Sequence, residues 1–218
     1  MIGKLRVFCL GALIFSSCTF QSDRLSFDHD DLILTYSYRS KVKCDWCPDF
    51  RTENRKLKIG CKKGQLSRLS EEYAFPFSKK PYKLSRTDDK IYIEHQSKTK
   101  LKKEVFFSLN KNDTILQVSL YYFDKDEPST YDSHSLFESI KDVKIEGQKI
   151  PCFYFKMYTG RRTNKTLNTS VIHHVFLEKK SLIPVKVDTE LRDIVTRKKR
   201  EKMFVKVTLE KTSKGLLH

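Results

Sequence analysis

Glycine and long apolar runs are both scarce in this 218-residue sequence. Only 7 glycines occur, which argues against a low-complexity chain or a repeat solenoid. The apolar run near the N-terminus, Val7 to Phe15, has nine residues, whereas a membrane-spanning helix needs roughly 20. The sequence also lacks the Gly-x-Ser-x-Gly, P-loop and His-Glu-x-x-His motifs, and no paired carboxylates stand out. We therefore expect no enzymatic activity, no bound metal and no cofactor.

Acidic residues are also few, with 27 against 43 basic ones, which gives a net charge of +16. Such a charge attracts anionic lipid headgroups, anionic glycans or nucleic acid. The lysines are mostly scattered pairs, as on a solvated surface, and one true basic cluster occurs: Arg197, Lys198, Lys199 and Arg200. Two interpretations of this cluster stay open, a solvated loop between strands and an anion-docking site. We do not expect nucleic-acid binding, because the N-terminus indicates export and no zinc-finger or RRM signature is present.

The N-terminus has the layout of an export signal: Lys4 and Arg6, the apolar run, then the small residues Ser16 and Ser17. No Ala-x-Ala cleavage site is present. Instead, the segment from Ile14 to Cys18 resembles the bacterial lipobox, which implies that the Cys18 sulfur carries a diacylglycerol that anchors the mature protein to a membrane of the cell envelope. The alternatives are an ordinary cleaved signal with Cys18 as a free thiol, and a retained N-terminal anchor helix. The predicted organisation is an export signal at 1–17, a lipid-anchored tether at 18–30 and one β-rich domain at 31–212.

Apolar residues alternate with polar ones along most of the mature chain, which predicts half-buried β-strands. The clearest examples lie at 202–210, 183–191, 116–122 and 105–109, and an unusually long stripe at 32–44 requires a bend or bulge. Further strands are predicted at 55–61, 89–95, 150–158 and 168–178. His173 and His174 are adjacent in one predicted strand, so they point to opposite faces and at most one is buried.

Helical signals are sparse. Asp132 precedes Leu136, Phe137 and Ile140 at helical spacing, which predicts a short helix near Ser133 to Ile140. A second short helix is predicted from Leu66 to Glu72. Because strands follow one another without long helices, the fold class is mainly β, a curved antiparallel sheet with one or two short helices.

Two adjacent segments resemble periplasmic lipoprotein-carrier and carrier-like domains. The segment VFLEKKSLIPVKVDTEL, Val175 to Leu191, is similar to a hairpin of those domains, and EGQKIPCFYFKMY, Glu146 to Tyr158, is similar to the strand that leads into it. The resemblance implies a half-barrel-like antiparallel sheet with a helix against its concave side, where some members hold acyl chains. No functional residue of those domains has a counterpart in this sequence.

Cys9 leaves with the signal and Cys18 is expected to carry lipid, which leaves four cysteines in an oxidising compartment: Cys44, Cys47, Cys61 and Cys152. An even number predicts structural disulfides, with three connectivities open. On strand parity, Cys61 is a candidate partner for Cys44 or Cys47, which leaves the other for Cys152.

The Cys44-Asp-Trp-Cys47 pair also permits other interpretations: free thiols, zinc ligands or a catalytic dithiol. A thioredoxin-type dithiol needs its first cysteine at a helix N-terminus, but residues 48–56 lack the apolar stripe of a buried helix. A zinc site lacks a second CxxC or an adjacent histidine.

Three functions from different classes follow. The first is a non-enzymatic envelope lipoprotein that binds an apolar ligand, a glycan or an envelope protein through its sheet. The second is a thiol-disulfide oxidoreductase that uses Cys44 and Cys47. The third is a basic polyanion-binding module that uses the cluster from Arg197 to Arg200.

Overall fold

The computed structural model describes residues 25–28, 30–44, 51–68, 81–96, 101–124, 127–163, 166–196 and 199–214. Within these ranges the chain forms twelve β-strands and no helix. The described residues therefore include no helix that could cross a membrane. The strands are β1 Asp31–Cys44, β2 Arg51–Lys62, β3 Gln65–Arg68, β4 Tyr82–Thr87, β5 Lys90–Gln96, β6 Leu101–Ser108, β7 Ile115–Asp124, β8 Glu127–Ile145, β9 Gln148–Thr163, β10 Thr166–Glu178, β11 Pro184–Thr196 and β12 Lys199–Lys214.

All twelve strands belong to one sheet, in the order β6-β5-β4-β3-β2-β1-β12-β11-β10-β9-β8-β7. Consecutive strands pair as antiparallel neighbours within each half of the sheet, from β1 to β6 and from β7 to β12. The first and last strands, β1 and β12, also pair and so join the two halves. The mainly β, antiparallel fold class predicted from the alternation is confirmed.

The sheet curves until its two edge regions approach each other. Ser135 on β8 donates a hydrogen bond from Oγ to the carbonyl oxygen of Phe106 on β6, at 3.0 Å. Inside the curve, the Phe107 ring of β6 stacks on Phe155 of β9, with ring centroids 4.1 Å apart. The right-handed twist of β-strands makes a sheet this wide curl rather than stay flat. The half-barrel-like curvature is therefore confirmed.

The buried core lies on one face of the sheet, which we call the inner face, and the opposite one is the outer face. On β1, Leu32, Leu34 and Tyr36 are almost fully buried, and the residues between them are only half-buried. The pairing of β1 with β12 shifts register between Thr35 and Tyr36. The register skips Glu210, so the extra residue lies in β12, and β1 pairs with β2 without a shift. The bulge expected in the long apolar stripe is therefore in the partner strand and not in β1 itself.

Two tight turns use glycine because both central residues have positive φ. Lys63 and Gly64 have φ of 49° and 78° between β2 and β3, and Glu146 and Gly147 have φ of 46° and 83° between β8 and β9. Positive φ at both central positions is typical of the two-residue turn whose twist matches an antiparallel hairpin. Such turns fix the register of the strands on either side.

The helix predicted near Ser133 to Ile140 is wrong, because this segment lies inside β8. The pairing of β8 with β9 shifts register between Phe137 and Ser139. That bulge changes which positions share a face, so a strand can place Leu136, Phe137 and Ile140 at apparently helical spacing. Ile140 is also 51% exposed, which does not fit a buried helical stripe.

The second predicted helix, Leu66 to Glu72, is wrong in its described part. Leu66 pairs with Cys61 in the hairpin of β2 and β3, and it is buried in the core. Residues 69–72 lie outside the described residues.

Part of the predicted tether packs against the sheet. Leu25 and Phe27 contact the core, and the backbone N–H of Ser26 donates a hydrogen bond to Thr212 Oγ1 at 3.1 Å. These contacts place packed structure N-terminal to Asp31. The export signal and Cys18 lie outside the described residues.

Candidate functional site

The inner face is organised in rows of paired residues that run across the strands. The core row is the one nearest the packed end of the inner face. It crosses β1, β12, β11, β10, β9 and β8. Its members are Tyr38, Val207, Val187, Val175, Phe155 and Phe137. All are apolar or aromatic, and Val175 and Phe155 are fully buried.

The next row along the strands, the polar row, is mixed. Its members are Ser40, Val205, Thr189, His173, Met157 and Ser135. His173 Nδ1 and Thr189 Oγ1 are hydrogen-bonded at 2.9 Å. Burial lowers the pKa of His173 to about 4, and the neighbouring His174 contributes a smaller effect in the same direction. His173 is therefore neutral at physiological pH.

The third row, the rim row, returns to apolar residues over four strands. Its members from β1 to β10 are Val42, Met203, Leu191 and Val171. Val42 and Val171 are only half-buried, unlike the fully buried valines of the core row. Apolar positions of the inner face thus continue past the packed core and past a layer of polar residues.

Next to these rows, β2 places charge on the same face. Arg55 is paired with Tyr38, and its guanidinium lies 4.4 Å from the centroid of the Tyr38 ring. The Arg55 Nη1 also lies 3.3 Å from Glu53 Oε1. Beside the core row, the inner face therefore combines apolar side chains with a guanidinium cation that contacts an aromatic ring and a carboxylate.

The outer face contains a cleft of about 290 Å³ over β8 to β12, which we call the outer cleft. Aromatic side chains form much of its lining, namely Tyr154, His174, Phe176 and Phe204. Charged residues of both signs complete it, namely Lys141, Asp188, Glu190 and Lys206.

A row of stacked side chains forms one wall of the outer cleft. The Tyr154 and Phe176 rings stack with centroids 4.7 Å apart. Lys141 Nζ lies 4.2 Å from the centroid of Tyr154, and Lys186 Nζ lies 5.3 Å from that of Phe176. Each ring thus has a lysine beside it and the other ring as its neighbour, an arrangement stabilised by stacking and cation–π attraction.

The floor of the outer cleft is polar. His174 Nδ1 lies 2.8 Å from Tyr154 Oη in a hydrogen bond. Asp188 Oδ2 pairs with Lys186 Nζ at 2.8 Å, whereas Asp188 Oδ1 is buried and has no hydrogen-bond partner among the described residues. The opposite orientation predicted for the two histidines is confirmed, because His173 faces inward to Thr189 and His174 lines the outer cleft.

The register separates the cysteines that sequence parity had grouped together. Cys61 is opposite Leu32, twelve residues from Cys44 along β1, which is roughly 40 Å of strand. A disulfide needs Cα atoms within about 7 Å, so the predicted Cys44–Cys61 pairing is wrong. Cys61 and Cys152 are free, buried thiols. Cys47 lies outside the described residues, so a disulfide between Cys44 and Cys47 stays a prediction.

Burial also affects the chemistry of the two free thiols. It raises the pKa of Cys152 to about 12, with Glu178 and Asp142 adding to the effect. Burial also raises the pKa of Cys61. Thiols in this state are poor nucleophiles, because the reactive form is the thiolate.

The basic cluster straddles the connection between β11 and β12. Lys199 and Arg200 are the first residues of β12 and pair with Thr196 and Val195. Arg197 and Lys198 lie outside the described residues. Among the residues that are described, no group of three or more His, Cys, Asp or Glu side chains could hold a metal ion.

The outer cleft was not predicted from the sequence. Its members on β9 and β10 occupy the strand positions opposite to the core-facing ones, where Tyr154, His174 and Phe176 stand among polar residues. Aromatic residues on a predicted solvent-facing parity are the signal that could have indicated it. Phe204, 40% exposed, has the same signature on β12.

Comparison with known proteins does not identify a family for this chain. No protein family matches the sequence, and no curated protein matches it. A structural comparison finds similarity to a LolA superfamily protein from Nitrosomonas europaea, at 10% sequence identity and a TM-score of 0.31, over 90% of this chain and 91% of that one. A likeness this distant says nothing about the activity or ligand of this chain.

Proposed function

We propose that this protein is a non-enzymatic binding module of the cell envelope, anchored through a lipid on Cys18, that holds an apolar ligand along the rim row of its inner face. The observation that supports the proposal most directly is the row of apolar positions that follows the polar row, of which Val42 and Val171 are half-buried. Apolar side chains left partly exposed on a concave surface favour the burial of an apolar ligand.

The rows also indicate how far such a ligand reaches. The core row is closed by packed aromatic and aliphatic side chains, of which Phe155 stacks against Phe107. The polar row lies between this packed interior and the rim row. A ligand that passed it would have to leave the His173–Thr189 pair unsolvated or break it, which costs free energy. The ligand is therefore held at the rim of the curved sheet.

The apolar character of the ligand follows from the rim row itself. Four neighbouring strands supply Val42, Met203, Leu191 and Val171 at one level of the sheet. An acyl chain lying across these strands would remove apolar surface from water on both partners, at about 25 cal/mol per Å². A charged or strongly hydrated ligand would gain nothing there.

The proposal is tested by titrating the protein with a fluorescent acyl probe, such as a pyrene-labelled dodecanoic acid. The Cys18→Ser variant is used, so that the protein itself brings no acyl chain. We expect saturable binding that Val171→Lys weakens at least about tenfold, because a charge at the rim row must be desolvated to admit the probe.

Ile172→Lys is the matched control. Ile172 is the next residue on β10, is also half-buried, and faces the outer side of the sheet. It should leave probe binding unchanged. The proposal fails if no acyl probe binds saturably, or if the two lysine variants weaken binding equally while both remain folded by circular dichroism.

A further inference from the structure

The outer cleft is a second surface with its own chemistry, on the opposite face of the sheet from the rim row. It combines a volume of about 290 Å³, an exposed aromatic ring and polar groups of both charge signs. The volume is close to the lower end of the range for small-ligand pockets, roughly 300 to 1,000 Å³. We propose that the outer cleft binds one uncharged sugar ring of a glycan.

Phe204 is the aromatic ring that remains open to a ligand. Tyr154 is 6% exposed and lies between Lys141 and Phe176, and Phe176 lies between Tyr154 and Lys186. Phe204, by contrast, is 40% exposed. A pyranose ring presents one face of C–H groups, and this face would bury apolar surface against the Phe204 ring.

The charges around the outer cleft select against other ligand classes. Three lysines and two carboxylates lie together here, namely Lys141, Lys186, Lys206, Asp188 and Glu190. The local excess is therefore one positive charge, whereas the whole chain carries +16. A polyanion would gain little attraction here and would be repelled by the two carboxylates. An acyl chain would remove the charged groups from water, which is costly.

Hydroxyl groups fit the same lining. The Asp188 side chain is 23% exposed and pairs through Oδ2 with Lys186 Nζ. A sugar hydroxyl can donate to the exposed part of this carboxylate and, through its own oxygen, accept from a lysine ammonium at the same time. Hydrogen bonds to charged groups of this kind are stronger than those between neutral groups.

The experiment is a titration of the Cys18→Ser protein with three neutral trisaccharides, chitotriose, cellotriose and maltotriose, followed by calorimetry and by saturation-transfer NMR. We expect at least one to bind, and Phe204→Ala to weaken it about tenfold, as for a central aromatic contact. Asp188→Asn should also weaken binding, because the amide cannot supply a charged acceptor. Asparagine keeps the shape of the side chain, so this variant tests ligand recognition without disturbing the fold.

Ile140→Ala is the matched control for Phe204→Ala. Among the side chains that the structure describes, Ile140 is the other large apolar one that is strongly exposed, at 51%, and it does not line the outer cleft. It should leave saccharide binding unchanged. The inference is overturned if no neutral trisaccharide binds at millimolar concentration, or if Ile140→Ala and Phe204→Ala have equal effects. It is also overturned if a sulfated oligosaccharide displaces the neutral one from the cleft by charge alone.

The proposals of a glycan site and of an apolar site can be tested independently. Phe204→Ala should leave binding of the acyl probe unchanged, since Phe204 faces the outer side of the sheet. Val171→Lys should leave binding of the trisaccharide unchanged. A variant that abolished both would contradict the assignment of two separate surfaces.

Discussion

Tyr36 on β1 donates a buried hydrogen bond from its hydroxyl to the carbonyl oxygen of Pro184, the first residue of β11, at 2.8 Å. The two residues are 148 positions apart in the sequence, and β12 lies between their strands. Burial raises the pKa of the Tyr36 hydroxyl well above its usual value, which keeps the hydroxyl protonated as a donor at neutral pH. This bond links β1 to β11 across the strand between them.

Tyr36→Phe should therefore lower the free energy of unfolding by about 1 kcal/mol, because a buried hydrogen bond is lost. Urea unfolding followed by fluorescence measures the change. Tyr92→Phe is the control, since Tyr92 is half-buried and its contact is a cation–π pair with Lys103 Nζ at 4.7 Å, which Phe keeps. Equal losses in the two variants would contradict the role of the Tyr36 hydroxyl.

His173 should make stability depend on pH in the range just below neutrality. Its pKa is about 4 in the folded protein because of burial, and near 6.5 in an unfolded chain. The unfolded state therefore takes up the proton first as the pH falls, so stability is complete above about pH 6.5 and is lost progressively toward pH 4. The full loss amounts to about 3 kcal/mol.

Urea unfolding of the native protein and of His173→Gln at pH 7.5, 6.5, 5.5 and 5.0 checks this prediction. The glutamine variant should show a smaller loss between pH 7.5 and 5.0. Parallel curves for the two proteins would mean that another group causes the pH dependence.

The free thiols Cys61 and Cys152 should be protected from alkylation in the folded protein. Both are almost fully buried, and burial raises the pKa of each thiol above its usual value. Treatment with iodoacetamide at pH 8, followed by peptide mass spectrometry, should leave both unmodified in buffer and modified in 8 M urea. Rapid modification of either residue in the native protein would contradict its burial.

Cys18→Ser should abolish lipid modification and membrane association. The prediction comes from the resemblance of Ile14 to Cys18 to a lipobox. Intact mass spectrometry of the protein from membranes should show a diacylglycerol on an N-terminal Cys18, and the serine variant should appear in the soluble fraction. An unmodified N-terminus beyond residue 18 would refute it.

Local sequence patterns determined most of the strands and the face to which their side chains point. Alternation is a property of neighbouring residues, since successive side chains of a strand point to opposite faces. It therefore predicted β11 and β12 and the opposed orientations of His173 and His174. The mainly β fold class followed from the same pattern.

Tertiary structure alone decided the segments where pattern and environment disagree. The bulge between Phe137 and Ser139 comes from pairing with β9, and without it the spacing of apolar residues in β8 resembles a helix. The distance between Cys44 and Cys61 likewise depends on the register of β1 with β2. Register is set by the pairing of one strand with its neighbour, so parity within one strand could not reveal it.

The two candidate sites also depend partly on local sequence and partly on tertiary structure. The sequence by itself determined that Val171 and Phe204 lie on strands, but each site is assembled from at least four strands. The rim row exists because the pairing of β1 with β12, of β12 with β11 and of β11 with β10 brings Val42, Met203, Leu191 and Val171 to one level. The outer cleft exists because the same pairing aligns the opposite faces of β8 to β12, and strand order and register are cooperative properties of the whole sheet.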